Sequence, residues 1–170
     1  MLTEDHDRLL VLFAAFERLR QSASPDAKQT LVEIACTEIV IHSQVEDEHL
    51  NAALADAMED TFVLEQIEVE HAIVRRLVTE LESMQAGDHL YDATFAVLAS
   101  CLTAHIEHEQ TWLFPLMDGL DLSFELLEHD IRSHRDQLRS EFGLPDAHWD
   151  DDEDGGYRYL VARTPYYRHH

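Results

Sequence analysis

Apolar residues recur at three- and four-residue steps through most of the chain, and this helical period is the feature that most restricts the fold. It defines four long stretches, at about residues 3–20, 26–54, 62–84 and 91–114, with short breaks between them. Only "YRYLV", near the end of the chain, alternates with the two-residue period of a strand. Four long helices joined by short loops predict an all-α, antiparallel up-down-up-down four-helix bundle.

The breaks carry helix boundary signals. Ser24 is expected to cap the second helix, with Pro25 in its first turn. Gly87 is expected to end the third helix, and Pro115 to close or kink the fourth. A fifth, more polar helix is expected over about residues 122–142, ending near a glycine and a proline.

The chain therefore divides into three parts. The bundle takes residues 1–117, and an additional C-terminal helix within residues 118–145 is expected to pack on it. The last part, residues 146–170, contains the acidic run "DDDED" and the aromatic segment "YRYLVARTPYYRHH". This composition predicts an irregular acidic and aromatic tail.

Composition limits the partners. Twelve Lys and Arg against 35 Asp and Glu give a net charge of −23, which disfavours binding to nucleic acid or to anionic lipid. No stretch approaches the ~20 apolar residues of a membrane span, and "MLTEDHDRLL" lacks the features of a signal peptide. We expect no membrane partner and a cytoplasmic location. Cys36 and Cys101 share no CxxC motif and are expected to be small buried thiols.

Each long helix carries a histidine on its apolar stripe. On the second helix Glu46 follows His42 by four residues, and on the fourth Glu109 follows His105 by four, so each pair points the same way. The second stripe is Leu31, Ala35, Ile39, His42, Glu46, Leu50 and Ala53, and the fourth is Leu98, Leu102, His105, Glu109, Leu113 and Leu116.

The polar positions on the four stripes fall at one end of an antiparallel bundle. At a rise of about 1.5 Å per residue, they lie within about two turns of a common level. A single core histidine, or a single H-x-x-x-E pair, is ordinary in a helical protein. The combination of four stripes, two matched pairs and a shared level is not. The predicted cluster is His6, His42, Glu46, His71, His105 and Glu109.

Two carboxylates in a bundle core require a partner. A bare buried carboxylate costs several kcal/mol, so it must be paired, protonated or bound to a metal. Arginine is absent from these stripes, and imidazole with carboxylate suits a divalent metal ion. A structural zinc would take four ligands and usually recruits cysteine. Donors from four helices, two of them able to bridge, favour a dinuclear site, with iron as the first candidate and manganese as the second.

The order of these residues resembles that of the hemerythrin-like (HHE cation-binding) domains over about residues 1–117. The likeness includes "DHDRLLVLF" at the start of the bundle and "HIEHEQTWLFPLM" at its end. It implies a four-helix bundle with a non-haem di-iron centre that meets O₂, peroxide or nitric oxide. The implied ligands are His6 and His42 for one iron, His71 and His105 for the other, and Glu46 and Glu109 as bridging carboxylates.

The chain departs from the oxygen-carrier hemerythrins in two places. Those carriers have two histidines a turn apart on the third helix, whereas the neighbours of His71 at that spacing are Ile67 and Arg75. They also have an aspartate five residues after the fourth-helix histidine, where this chain has Gln110.

One iron is therefore expected either to lack a protein ligand or to take Glu68, Glu70 or a tail residue. A more open coordination favours peroxide or redox chemistry over reversible O₂ carriage. A ferritin-like di-iron bundle is the nearest rival, because Glu46-x-x-His49 and Glu68-x-x-His71 match its spacing. These pairs fall on consecutive helices, and the fourth helix has none, so the ferritin order fails.

The residues around the cluster carry further expectations. "WLFP" after Glu109 is expected to close an apolar end over the metal, and Tyr91 to reach the site as a hydrogen-bond donor. The remaining histidines lie at polar positions or in loops, and we expect them to be solvated. They are His49, His89, His108, His129, His134 and His148.

Three functions follow from the resemblance. The first is a stand-alone di-iron protein that binds O₂ or a related small oxidant for sensing, storage or delivery. The second is a di-iron enzyme with catalase-like, peroxidase-like or ferroxidase activity. The third is an iron-responsive binding module whose fold depends on metal. The sequence identifies no protein or redox partner.

Overall fold

The computed structural model describes residues 2–117 and 119–144, and helices account for most of them. The predicted tail, including "YRYLV", lies outside these residues, as does the chain beyond Leu144. In order, the elements are α1 (Thr3–Leu19), α2 (Pro25–Val45), the π-helical turn π1 (Glu46–Asn51), α3 (Ala52–Ala57), α4 (Phe62–Glu82), α5 (Tyr91–His108), the π-helical turn π2 (Glu109–Leu113), α6 (Phe114–Met117) and α7 (Phe124–Glu141).

Four helical rods form the bundle. They are α1, the continuous rod α2–π1–α3, α4, and the continuous rod α5–π2–α6. Each rod packs on the next in the chain, and α5 returns to pack on α1, which closes the ring around an apolar core. The predicted all-α bundle with an additional helix is confirmed. None of the helices in the described ranges combines the length and the apolar composition that crossing a bilayer requires.

Most of the boundary signals are confirmed. The Ser24 hydroxyl accepts from the Ala27 amide at 3.3 Å, with Pro25 as the first residue of α2. At the end of α7, Gly143 has φ +66°, and the amides of Gly143 and Leu144 bond back to the carbonyls of Ser140 and Arg139. This is a Schellman motif, whose left-handed residue favours glycine.

The prediction that Gly87 ends the third helix is wrong. The helix α4 ends at Glu82, and the amide of the next residue, Ser83, turns back to the Glu80 carbonyl at 3.1 Å. Gly87 lies further along the loop, where its φ of +109° is a conformation that L side chains rarely adopt. It therefore shapes the α4–α5 connection rather than ending the helix.

The two π-helical turns change which residues face the core. A π turn bonds residue i to i+5, so the buried face advances by one residue compared with an α-helix. After π1 the buried residue is Leu54 rather than the predicted Ala53. After π2 it is Met117 rather than Leu116, which is 51% exposed. The helix also continues through Pro115 to Met117 instead of stopping there.

Buried charged residues attach α7 to the bundle. Arg135 Nη1 of α7 lies 3.2 Å from Asp5 Oδ1 of α1, which also accepts from Arg8 at 3.2 Å. Arg139 of α7 donates to Glu38 of α2, whose second oxygen lies 3.6 Å from Arg8 Nη1. All five side chains are buried, so their ion pairs fix α7 against α1 and α2.

Candidate metal centre

The structure brings all six predicted site residues together inside the bundle. Each of the four rods contributes one histidine, and the two glutamates are the first residues of π1 and π2. None of the six is more than 1% exposed. They are His6, His42, Glu46, His71, His105 and Glu109.

Glu46 lies among histidines from three rods. Its Oε2 is 3.4 Å from His42 Nε2, 3.5 Å from His71 Nε2 and 3.5 Å from His105 Nε2. The last two nitrogens are 3.4 Å from each other. One carboxylate oxygen therefore faces three imidazole nitrogens.

Glu109 lies among histidines from two rods. Its Oε2 is 3.0 Å from His6 Nε2 and 3.5 Å from His105 Nε2. Donor atoms of His42, Glu46, His105 and Glu109 all lie within 4.8 Å of one another. His105 thus faces both carboxylates, and the two glutamates share one polar centre.

Several of these atoms lack a hydrogen-bond partner among the described residues. They include both oxygens of Glu46, both oxygens of Glu109, both ring nitrogens of His42 and Nε2 of His6. Buried polar atoms are almost always satisfied, and each exception requires an explanation. A metal ion would supply it here, because clustered carboxylate oxygens and imidazole nitrogens are its usual ligands.

Electrostatics supports the same interpretation. Burial, followed by the charge of the neighbouring Glu46, holds the pKa of Glu109 well above its ordinary value. Burial acts to raise the pKa of Glu46 too, but the ring nitrogens of His105 and His71 outweigh it and hold that pKa well below its ordinary value. Two neighbouring buried carboxylates cannot both carry a negative charge without a large energetic cost, and a bound cation would offset that cost.

Burial also keeps two of the histidines neutral. It lowers the pKa of His6 to about 4 and that of His42 to about 3. The neutral imidazole is the form that binds metal. For His71 burial acts in the same direction, but the neighbouring carboxylates of Asp47 and Glu46 outweigh it and raise the pKa to about 9.

Two carboxylates outside the cluster orient its histidines. Asp47 Oδ1 lies 2.8 Å from His71 Nδ1, and Glu70 Oε2 lies 2.8 Å from His105 Nδ1. In each case the outer ring nitrogen is engaged, and Nε2 faces the centre. Arg75 in turn donates to the other oxygen of Asp47 at 3.0 Å. Such outer carboxylates fix the tautomer and the ring orientation of metal-binding histidines.

These contacts revise the candidates for an extra ligand. Glu70 lies against the outer side of His105 rather than in the centre, and Glu68 is exposed. Sequence reasoning missed Asp47, although its place directly after Glu46 was a usable signal. Gln110 is exposed, and its Nε2 lies 3.5 Å from His6 Nδ1.

The apolar cover over the centre differs in part from the expected one. Phe114 lies parallel to the His6 ring at a centroid distance of 6.0 Å, and Leu113 is fully buried. Trp112, expected to belong to this cover, is 63% exposed, because π2 turns it outward. The prediction that Tyr91 donates a hydrogen bond at the site is wrong, because Tyr91 begins α5 about four turns from His105.

The expected solvation of the outer histidines holds for His89 and His129, which are exposed. It is wrong for His49 and His134, which are half-buried and contact each other. His108 is also half-buried and contacts Glu70 at 3.3 Å. His148 lies outside the described residues. Of the two cysteines, Cys36 is buried as expected and Cys101 is half-buried.

Comparison with known proteins agrees with this geometry. The family model "Hemerythrin HHE cation binding domain" matches residues 1–141, which contain all six clustered residues and α7. Searches of curated proteins and of solved structures gave no significant match. A cation-binding family and a buried His/Glu cluster together make this a metal-binding protein. The chain belongs to the hemerythrin HHE cation-binding domain family.

Proposed function

We propose that this protein holds two non-haem iron ions and binds O₂ or a related small oxidant, for sensing, storage or delivery. The observation that carries the proposal is the position of the two buried glutamates. Each has an oxygen within 3.5 Å of imidazole nitrogens from more than one rod, and each lacks a hydrogen-bond partner in the described part of the chain. This arrangement suits carboxylates that bridge two ions.

The contacts support a specific set of ligands. His6 and His42 would bind one iron, and His71 and His105 the other. Glu109 lies between His6 and His105, and Glu46 contacts His42 together with His71. Each glutamate therefore contacts at least one histidine of each pair, as a bridging ligand must. The donor set of imidazole and carboxylate favours iron, with manganese as the second candidate.

The surrounding residues prepare the site for a small oxidant. A carboxylate-bridged pair of irons supplies redox chemistry toward O₂, peroxide or nitric oxide when it is bound. Asp47 and Glu70 accept from the outer nitrogens of His71 and His105, which directs Nε2 of each ring inward. Phe114 places an aromatic ring against His6, which restricts access by water on that side.

One observation favours the enzymatic alternative. The residue one turn before His71 is Ile67, which is fully buried and offers no donor, while Arg75 one turn later is exposed. Six protein donors shared between two ions leave coordination positions open. Open positions favour decomposition of peroxide or oxidation of Fe(II) over reversible carriage of O₂.

Anaerobic reconstitution with Fe(II), followed by exposure to O₂, separates these functions. We expect about two irons per chain, as in di-iron bundles. A stable and reversible oxygenated spectrum supports binding, whereas oxygen evolved from added peroxide, or rapid irreversible oxidation, supports the enzyme. Thermal stability that depends on iron without either reaction supports an iron-responsive module. Loading below about one iron per chain after reconstitution would overturn the dinuclear proposal.

A further inference from the structure

A second group of metal-binding side chains lies outside the buried centre, where α7 packs against π1. Glu48 and His49 belong to π1, and His134 belongs to α7. His49 Nε2 lies 3.0 Å from His134 Nδ1, and His134 Nδ1 lies 3.6 Å from Glu48 Oε2. Donor atoms of the three residues fall within 4.8 Å of one another.

The spacing of these atoms suits a single ion. Nitrogens that bind a tetrahedral zinc at about 2.0–2.1 Å lie about 3.4 Å from each other. The two facing nitrogens need to move apart by only a few tenths of an ångström to reach this separation. Without an ion, they must share one hydrogen between them, since two protonated nitrogens would repel each other. An ion placed between them would replace that hydrogen.

A neighbouring side chain orients the third donor. Gln44 donates its Nε2 to Glu48 Oε1 at 3.0 Å. The other oxygen, Oε2, is the one that faces His134. The side chain of His134 is 22% exposed and that of Glu48 is 52% exposed, so one side of the group is open to solvent. A water molecule would complete the coordination on that side.

We propose that Glu48, His49 and His134 bind one divalent transition-metal ion of the zinc class, separate from the buried centre. Two imidazoles and one carboxylate with an open position fit zinc, and they fit copper(II) more tightly still. The three residues come from two elements, so the ion joins π1 to α7. The ferritin-like pair Glu46-x-x-His49 thus divides between two sites, because Glu46 faces inward and His49 faces α7.

Calorimetric titration with Zn²⁺ tests the site in the full chain as purified, with the metal content of the buried centre measured first. All proteins carry His169→Gln and His170→Gln, which removes the two histidines at the chain end. We expect one Zn²⁺ to bind per chain beyond the metal already present. His49→Gln and His134→Gln should each weaken that binding by about tenfold or more, the size of loss seen when a supporting contact of a metal site is removed.

A control variant and a second measurement complete the test. His129→Gln alters an exposed histidine on the same helix and should leave the affinity unchanged. With one equivalent of Cu²⁺, the paramagnetic resonance spectrum of the parent should show coupling to two nitrogens, and that of either site variant coupling to one. Equal Zn²⁺ affinity in the parent and both site variants, or a parent copper spectrum without coupling to two nitrogens, would overturn the proposal.

Discussion

Glu109 is the residue on which the dinuclear proposal depends most. It is fully buried, it faces histidines from α1 and α5, and neither oxygen finds a hydrogen-bond partner within the described residues. Glu109→Gln preserves the shape but removes the charge and the ability to bridge. We expect iron loading to fall from about two per chain to about one or less, measured by metal analysis after anaerobic reconstitution.

The matched control lies two residues away on the same rod. Glu107 is exposed, so Glu107→Gln also removes one negative charge but touches no ligand. This variant should load iron like the parent. Equal loading in both variants would exclude Glu109 as a bridging ligand.

A substitution at Glu70 tests whether a carboxylate outside the cluster affects the metal affinity of the site. Its Oε2 accepts from His105 Nδ1, and such contacts raise the basicity of a ligand and fix its orientation. We expect Glu70→Gln to weaken metal binding by about 10- to 100-fold, measured by competition with a chelator of known affinity. Glu68→Gln, an exposed change on the same helix, should have no effect. A similar loss in both variants would show that overall charge, rather than this contact, sets the affinity.

At the scale of single elements, the helices were predictable and their final turns were not. The three- and four-residue apolar period gave the start of α4 at Phe62 and the start of α5 at Tyr91 correctly. The error enters after Glu46 and Glu109, where the backbone changes to π-helical bonding. A prediction from the apolar period continues the α-helical step past each glutamate. After Glu109 it therefore predicts that Leu116 is buried, whereas the buried residue is Met117.

The candidate site was predictable for the same physical reason. His6 and His71 lie in helices without a π turn, and the other four residues lie at or before the start of one, so the α-helical step holds for all six. The apolar period alone did not predict the outer contacts of Asp47 and Glu70, because it does not report the direction of side chains that lie off the apolar stripe. The pairing of His49 with His134 joins residues 85 positions apart, and no local pattern indicates it.

The attachment of α7 gives a prediction at the same scale. Arg135 is buried against Asp5, so Arg135→Met leaves that carboxylate with less positive charge nearby. Loss of one partner from a buried ion pair destabilises a protein by about 3–5 kcal/mol. Because Arg8 still contacts Asp5, we expect the lower end, about 3 kcal/mol. Denaturant unfolding of the metal-loaded protein measures this loss.

Arg132 provides the comparison for this measurement. It lies on the same helix, pairs with Glu128 at 3.2 Å, and its side chain is 53% exposed. Exposed pairs contribute about 0–1 kcal/mol, so Arg132→Met should change the free energy of unfolding by no more than that. A loss from Arg135→Met as small as the loss from Arg132→Met would mean that the buried network does not hold α7 in place.

For the whole molecule, we expect metal bound at the buried centre to stabilise the fold. A ligand that binds only the folded state stabilises it by about 4 kcal/mol when its free concentration is a thousand times its dissociation constant. In a chain of this length, 1 kcal/mol corresponds to about 2–4 °C in Tm. Chelation of Fe(II) under argon should therefore lower the Tm by about 8–16 °C, as measured by calorimetry.

The double variant Glu46→Gln/Glu109→Gln separates stabilisation by iron bound in the centre from stabilisation by cations at the negatively charged surface. The chain carries a net charge of −23, so added cations also stabilise it by screening repulsion, whatever the state of the centre. Screening acts equally on the parent and the variant, whereas a ligand effect requires the two buried carboxylates. The parent should lose its iron-dependent rise in Tm on chelation, and the variant should have none to lose. An equal rise in both proteins would mean that iron stabilises the chain through its surface and not through the bundle core.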